Sequence, residues 1–150
     1  MIAESRTLSV SINRHPDEAY AFISNPKNLP QWAPAFCKSV RRAGAEWIVE
    51  TAEGPVKIRF VEPNAFRVAD HYVAPAPGVE FYVPMRVLPN GPSGSELMLT
   101  LFRQPNMSDP EFRRDIDMVT RDLHVLKKVL EKGSAAVGAS RIQAHCNVRR

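Results

Sequence analysis

Residues 108–133 read SDPEFRRDIDMVTRDLHVLKKVLEKG, and the reading of this stretch decides the fold. Phe112, Ile116, Val119, Leu123, Leu126 and Leu130 recur at alternating steps of four and three, so a helix places all of them on one face. Met118, Val125 and Val129 widen that stripe. Ser108 or Asp109 can cap the start, Pro110 suits the first turn, and Glu111 stands where it closes a capping box on Ser108. Lys132 and Gly133 mark the expected stop. At about 1.5 Å per residue such a helix is on the order of 35 Å long, and its apolar face needs a broad cover.

The cover has to come from upstream. Leu8, Val10 and Ile12 alternate with polar residues at the two-residue period of a half-buried strand. Pro16, Asp17 and Glu18 then open a short helix whose apolar run is Ala19–Ile23, and it stops by Asn25-Pro26. Lys27–Trp32 adds a further short turn between Pro26 and Pro34, anchored by Leu29, Trp32 and Phe36. From Lys38 to Arg103 short strands follow one another between turn residues. They are expected near Cys37–Arg42, Glu46–Thr51, Val56–Val61, Phe66–Val73, Val79–Leu88 and Glu96–Arg103. Short links favour an antiparallel meander. Its apolar face carries Trp47 and Val49, Val56, Ile58 and Phe60, Phe66 and Val68, Phe81, Val83 and Met85, and Leu97, Leu99 and Leu101. An α+β architecture results, with about seven strands in an antiparallel sheet curved around the C-terminal helix. Residues 1–133 form the expected domain, and 134–150, small, polar and unperiodic, an expected poorly ordered tail.

Composition narrows the setting. A net charge of +4 spread over 150 residues raises the question of nucleic acid. However, the paired basic residues are scattered, and those on the long helix are interleaved with Asp115, Asp117, Asp122 and Glu131, the pattern of a solvated mixed-charge face. No nucleic-acid partner is expected. Met1–Arg6 lacks an apolar core of signal-peptide length, and no apolar run approaches the roughly 20 residues of a transmembrane segment. A soluble, cytoplasmic protein is expected, with Cys37 and Cys146 as free thiols.

Three segments carry a family resemblance: the strand Ser9–Ile12, the helix Pro16–Pro26 of pattern P-x-E-x-x-[FY]-x-[FIL], and the N-P-x-N-L-P-x-W segment ending in Trp32. With the terminal helix, this order resembles the START-like or helix-grip superfamily, the SRPBCC group that includes polyketide cyclase/dehydrase-like and lipid-transfer members. The resemblance spans about Thr7–Lys132. It implies an elongated apolar cavity between sheet and long helix, and it brings no shared catalytic motif.

Within that expectation, Trp32, Phe36 and Trp47 suit the mouth or wall of the cavity, and ordinary core packing is their competing fate. Phe60, Phe81, Met85 and Leu99 from the sheet, with Val119 and Leu123 from the helix, complete the expected lining. Alternation along Phe66–Val73 puts Asp70 and Tyr72 on the same face as Phe66 and Val68, hence inward, and Arg67, Ala69, His71 and Val73 on the other. Asp70 is therefore the candidate catalytic residue: a carboxylate amid apolar groups has a raised pKa and can act as acid, base or anchor. The alternative is an ion pair with Arg59, Arg86 or Arg103, or a bulge that turns Asp70 outward. Tyr72 and Tyr82 either bond a ligand carbonyl or fill space. Adjacent strand residues diverge, so Asp70 and His71 form no dyad. No metal-ligand spacing, phosphate-cradling glycine loop or dinucleotide fingerprint is present, so neither metal nor cofactor is expected. Binding or transport of a small apolar or aromatic molecule, such as a lipid, quinone or polyketide-like compound, leads. The alternatives are a cyclase or dehydratase using Asp70 and a tyrosine, and a co-chaperone-like interaction module. An exposed edge strand leaves a homodimer open.

Overall fold

The computed structural model describes the backbone of residues 1–149 and the side chains of residues 1–132. The expected helix stop at Gly133, the tail over 134–150 and Cys146 fall outside the fully described residues.

The chain opens with β1 (Ser5–Ile12), α1 (Pro16–Ile23), a 3₁₀ turn (Pro26–Asn28) and α2 (Leu29–Trp32). The strands β2 (Ser39–Ala43), β3 (Glu46–Thr51), β4 (Gly54–Phe60), β5 (His71–Ala76), β6 (Val79–Val83), β7 (Met85–Asn90) and β8 (Gly94–Phe102) follow, and α3 (Asp109–Arg149) closes the series. All pairings are antiparallel and fall into two sheets: β1-β8-β7, and the meander β2-β3-β4-β5-β6. The architecture is α+β, as the periodicities require. Among the described residues no helix is long and apolar enough to cross a membrane.

Local chemistry explains the helix starts. Ser108 and Glu111 form the reciprocal box: the Ser108 N–H donates to Glu111 Oε2 at 2.9 Å, and the Glu111 N–H donates to Ser108 Oγ at 3.3 Å. Pro16 occupies the first position of α1, where the His15 ring accepts from the Asp17 N–H at 3.1 Å. The two asparagines of the N-P-x-N segment are both local braces. Asn25 accepts from the Lys27 N–H, and Asn28 donates to the Phe22 carbonyl.

Two expected strands are corrected. Phe66–Val73 does not form a strand; the ladder begins at His71. Asn64 Oδ1 accepts from the backbone N–H groups of Phe66 at 3.0 Å and Val68 at 3.1 Å, while its amide donates to the Val68 carbonyl at 2.9 Å. These local bonds replace ladder bonds, and Arg67 takes a left-handed φ of 57°. Phe66 is consequently 82% exposed instead of lying on the core face. The second correction is at Pro84. The expected strand Val79–Leu88 divides there into β6 and β7, one in each sheet, because proline has no N–H to continue a ladder. The two sheets stay joined by the Val68–Arg86 bridge and by bonds from Ala69 N–H to the Met85 carbonyl and Val87 N–H to the Arg67 carbonyl.

The core lies where α3 meets the sheets. Leu123, Leu126 and Leu130 are buried with Ile12, Val49, Ile58, Met85, Val87 and Leu97, and α1 and α2 add Ala19, Ile23, Leu29 and Trp32. The helix rests chiefly on β1 and α2, and stands away from the β4-β5-β6 side. Asp122, which the sequence pattern placed on the solvated face, is instead buried. It accepts from the N–H groups of Ala35 at 3.0 Å and Phe36 at 3.2 Å. Replacing the fully buried Leu126 by alanine is expected to cost about 2–5 kcal/mol, whereas the same change at the half-exposed Leu88 should cost less than about 0.5 kcal/mol. Urea-unfolding midpoints of the two variants check both values.

Candidate functional site

The gap between α3 and the five-stranded sheet is a cavity of about 700 Å³. Its size falls in the range of small-molecule sites. Each wall is set by strand or helix parity. Ile58 pairs with Val73 and Phe60 with His71, so the inward face of β4 dictates that of β5. Val73 pairs with Phe81 and His71 with Val83, carrying the same face into β6. Val56, Ile58, His71, Val73, Phe81 and Val83 accordingly line one wall. Leu99 and Leu101 of β8 form another, Met118, Val119 and Asp122 of α3 a third, and Leu29, Trp32, Ala33 and Phe36 the end. Exposed charged groups, Glu53, Glu111, Arg114, Asp117 and Arg121, stand at the rim together with the half-buried Asp115. Burial pushes the Asp115 carboxyl up, and the Glu53 and Glu111 charges reinforce that against Arg114.

Of the residues expected at the site, Trp32, Phe36, Phe81, Leu99 and Val119 line the cavity. Met85 and Leu123 are packed in the core beneath it. Phe60 shares their fate, stacked on His71 with ring centroids 4.8 Å apart. Trp47 lies on the sheet's inner face beyond the cavity, with the Arg42 guanidinium 5.7 Å from its ring. Tyr72 and Asp70 are on the opposite side of the sheet from the expected one. The parity of Phe66–Val73 was anchored on Phe66, which belongs to the Asn64 turn, so the strand enters in the opposite phase: His71 and Val73 point in, Tyr72 points out. Tyr72 stacks on Tyr82 at 5.3 Å under the Arg59 guanidinium at 4.4 Å.

Asp70 closes the joint between the sheets. It accepts from Tyr82 Oη at 2.6 Å, from the Met85 N–H at 2.8 Å, and from Arg86 Nη2 at 3.2 Å and Nε at 3.5 Å. Burial alone would raise its pKa, but the hydrogen bonds from Tyr82, Arg86 and Met85 outweigh that and hold the carboxyl below the usual range. It is an ionised structural acceptor with its oxygens engaged. Cys37 does not replace it as a reactive group. Burial, with Asp122 nearby, drives the Cys37 thiol up to about 11, so it stays protonated. Among the described residues no three His, Cys, Asp or Glu side chains are placed to hold a metal. His71 is the residue that sequence reasoning missed. It is 8% exposed, and burial drives its pKa down to about 4 against weaker opposition from the Ala69 carbonyl and the Asp70 charge. The usable signal was Asn64 after Pro63, which reads as a turn and moves the strand start past Phe66.

Two outcomes follow. Asp70→Asn should destabilise the fold by about 1–3 kcal/mol, because Tyr82 and Arg86 lose a charged acceptor, while leaving affinity for any cavity ligand within about twofold; chemical denaturation and a binding titration read the two effects. For His71, the folded pKa lies below the ordinary 6.5. The unfolded chain therefore takes up the proton first as pH falls, and stability is lost between about 6.5 and 4. The loss should approach about 1.4 kcal/mol per pH unit within that window. His71→Phe should remove that part of the slope, measured as the difference between the two proteins' denaturation midpoints across pH.

No protein-family model and no curated protein matches the chain. The likeness is one of structure. The protein XoxI from Bacillus cereus superposes with a TM-score of 0.71 at 19% identity, over 87% of this chain and 96% of that one. A START superfamily protein from Mycobacterium smegmatis gives 0.66 at 13% identity, over 85% and 97%. An aromatase/cyclase from Streptomyces sp. R1128 gives 0.66 at 14% identity, over 86% and 94%. These similarities extend along nearly the whole of each neighbour. The chain has the START-like, helix-grip fold.

Proposed function

We propose that this chain binds or carries a small, uncharged, largely apolar molecule in the cavity between the β4-β5-β6 wall and α3, in the chemical range of quinones, neutral lipids or aromatic polyketide-like compounds. The cavity carries the reading: about 700 Å³ of space lined mainly by Val56, Ile58, Val73, Phe81, Val83, Leu99 and Leu101. Burying a ligand there removes apolar surface from water on both partners, at about 25 cal/mol per Å² before ordering costs. The rim supports the choice of an uncharged ligand. Glu53, Glu111, Asp115 and Asp117 outnumber Arg114 and Arg121, so an anion meets net repulsion on entry. One structural neighbour is an aromatase/cyclase. An acid–base role for Asp70 in such a reaction is disfavoured here, because its oxygens are spent on Tyr82, Met85 and Arg86.

Native mass spectrometry of the freshly purified protein, with extraction of whatever is bound, tests the reading. A stoichiometric neutral molecule is expected, and Val73→Trp, which fills the cavity from β5, should release it while leaving the circular dichroism spectrum unchanged. A clean apo mass together with no thermal stabilisation by quinones, neutral lipids or fused-ring aromatics would overturn the proposal.

A further inference from the structure

Two residues that line the cavity carry polar groups with hydrogen-bonding capacity that the fold does not use. Trp32 is 4% exposed, lines the cavity, and its Nε1–H has no acceptor. A buried indole donor of this kind ordinarily finds a partner. The second group is His71. Its Nδ1 lies 3.1 Å from the Ala69 carbonyl, and a carbonyl only accepts, so Nδ1 carries the proton. The ring is neutral at physiological pH because its pKa is near 4, which leaves Nε2 a bare acceptor. No described residue donates to Nε2, and Phe60 stacked at 4.8 Å holds the ring in place. The β5 wall thus offers an unused acceptor beside Ile58, Val73 and Val83, whereas the Trp32 donor is sealed within the packing at the cavity end.

We infer that the cavity selects an uncharged apolar molecule bearing a hydroxyl of phenol or enol type, which donates to His71 Nε2. This rests on the binding reading above and narrows it. A purely hydrocarbon ligand would leave Nε2 unpaired in a dry site, whereas a carboxylate cannot donate to Nε2 and is repelled at the rim. A site built with committed hydrogen-bonding groups rejects analogues that lack the complementary group much more sharply than an apolar pocket rejects a changed methylene.

The test compares three probes of one shape by equilibrium dialysis at neutral pH: 2-naphthol, 2-methoxynaphthalene and naphthalene. The naphthol can donate to His71 Nε2, whereas the ether and the hydrocarbon cannot. The naphthol should bind about tenfold tighter than either. His71→Phe, which preserves a ring against Phe60, should bring the naphthol to within about twofold of the ether. Nitrogen-15 spectra of labelled histidine in the unaltered protein give a readout that needs no variant: the Nε2 resonance should move with the naphthol and stay with the ether. Equal affinity of naphthol and ether, a naphthol advantage that survives His71→Phe, or an Nε2 resonance that ignores the naphthol would overturn the inference while leaving cavity binding intact. No binding by any of the three would overturn the binding reading and this one with it.

Discussion

The carboxylate of Asp122 is the point at which the long helix and the early part of the chain are tied together. The segment between α2 and β2 leaves the regular structure, and its backbone N–H groups need acceptors. Asp122 supplies them for Ala35 and Phe36, at 3.0 and 3.2 Å. Leaving such donors unpaired would cost about 1–3 kcal/mol. Burial opposes the arrangement by pushing the carboxyl pKa up, and the two N–H bonds recover part of that penalty. The clamp thus favours one geometry strongly. With it in place, Trp32 and Phe36 are held beside α3, the helix rests on β1 and α2, and the β4-β5-β6 side is left standing off. The cavity is the space that this clamp keeps the helix from closing.

The other side of the cavity is shaped by one proline. A continuous strand from Val79 to Leu88 would flatten the sheet against the helix. Pro84 interrupts the ladder, the chain passes from one sheet to the other, and the Met85 N–H is taken by Asp70. Tyr82 and Arg86, on either side of the break, bond the same carboxylate. Asp70 therefore does for the sheet what Asp122 does for the helix: a buried anion satisfies backbone N–H at a place where regular structure stops. Both acids brace the walls of the cavity where regular structure stops.

Periodicity made most of the fold readable. The stripe from Phe112 to Leu130, the alternation of Leu8, Val10 and Ile12, and the Ser108–Glu111 box each depend on near neighbours, and each appears as expected. Where the sequence misled, the deciding interactions were long-range or hidden in a side chain. Asp122 looks like any other acid on a mixed-charge helix until the α2–β2 connection lies against it. Asn64 captures two backbone N–H groups, shifts the start of β5 to His71 and reverses the phase of everything after it. A one-residue slip in phase exchanges the two faces of a strand, so this single turn sent Asp70 outward and His71 inward.

That exchange changes the chemistry of the cavity more than it changes its shape. An ionised carboxylate inside would have favoured a cation or a strong donor, and would have made proton transfer the natural reading. A neutral imidazole imposes a different selection, since it does not compensate the desolvation of a charged ligand. The interior charge of Asp122 does not alter this, because its oxygens already serve Ala35 and Phe36. Asp122 apart, formal charge stands at the rim, where water screens it, and the interior discriminates by hydrogen-bond direction. A cavity arranged this way distinguishes molecules that are nearly identical in size and hydrophobicity, by whether an oxygen carries a proton and where it sits.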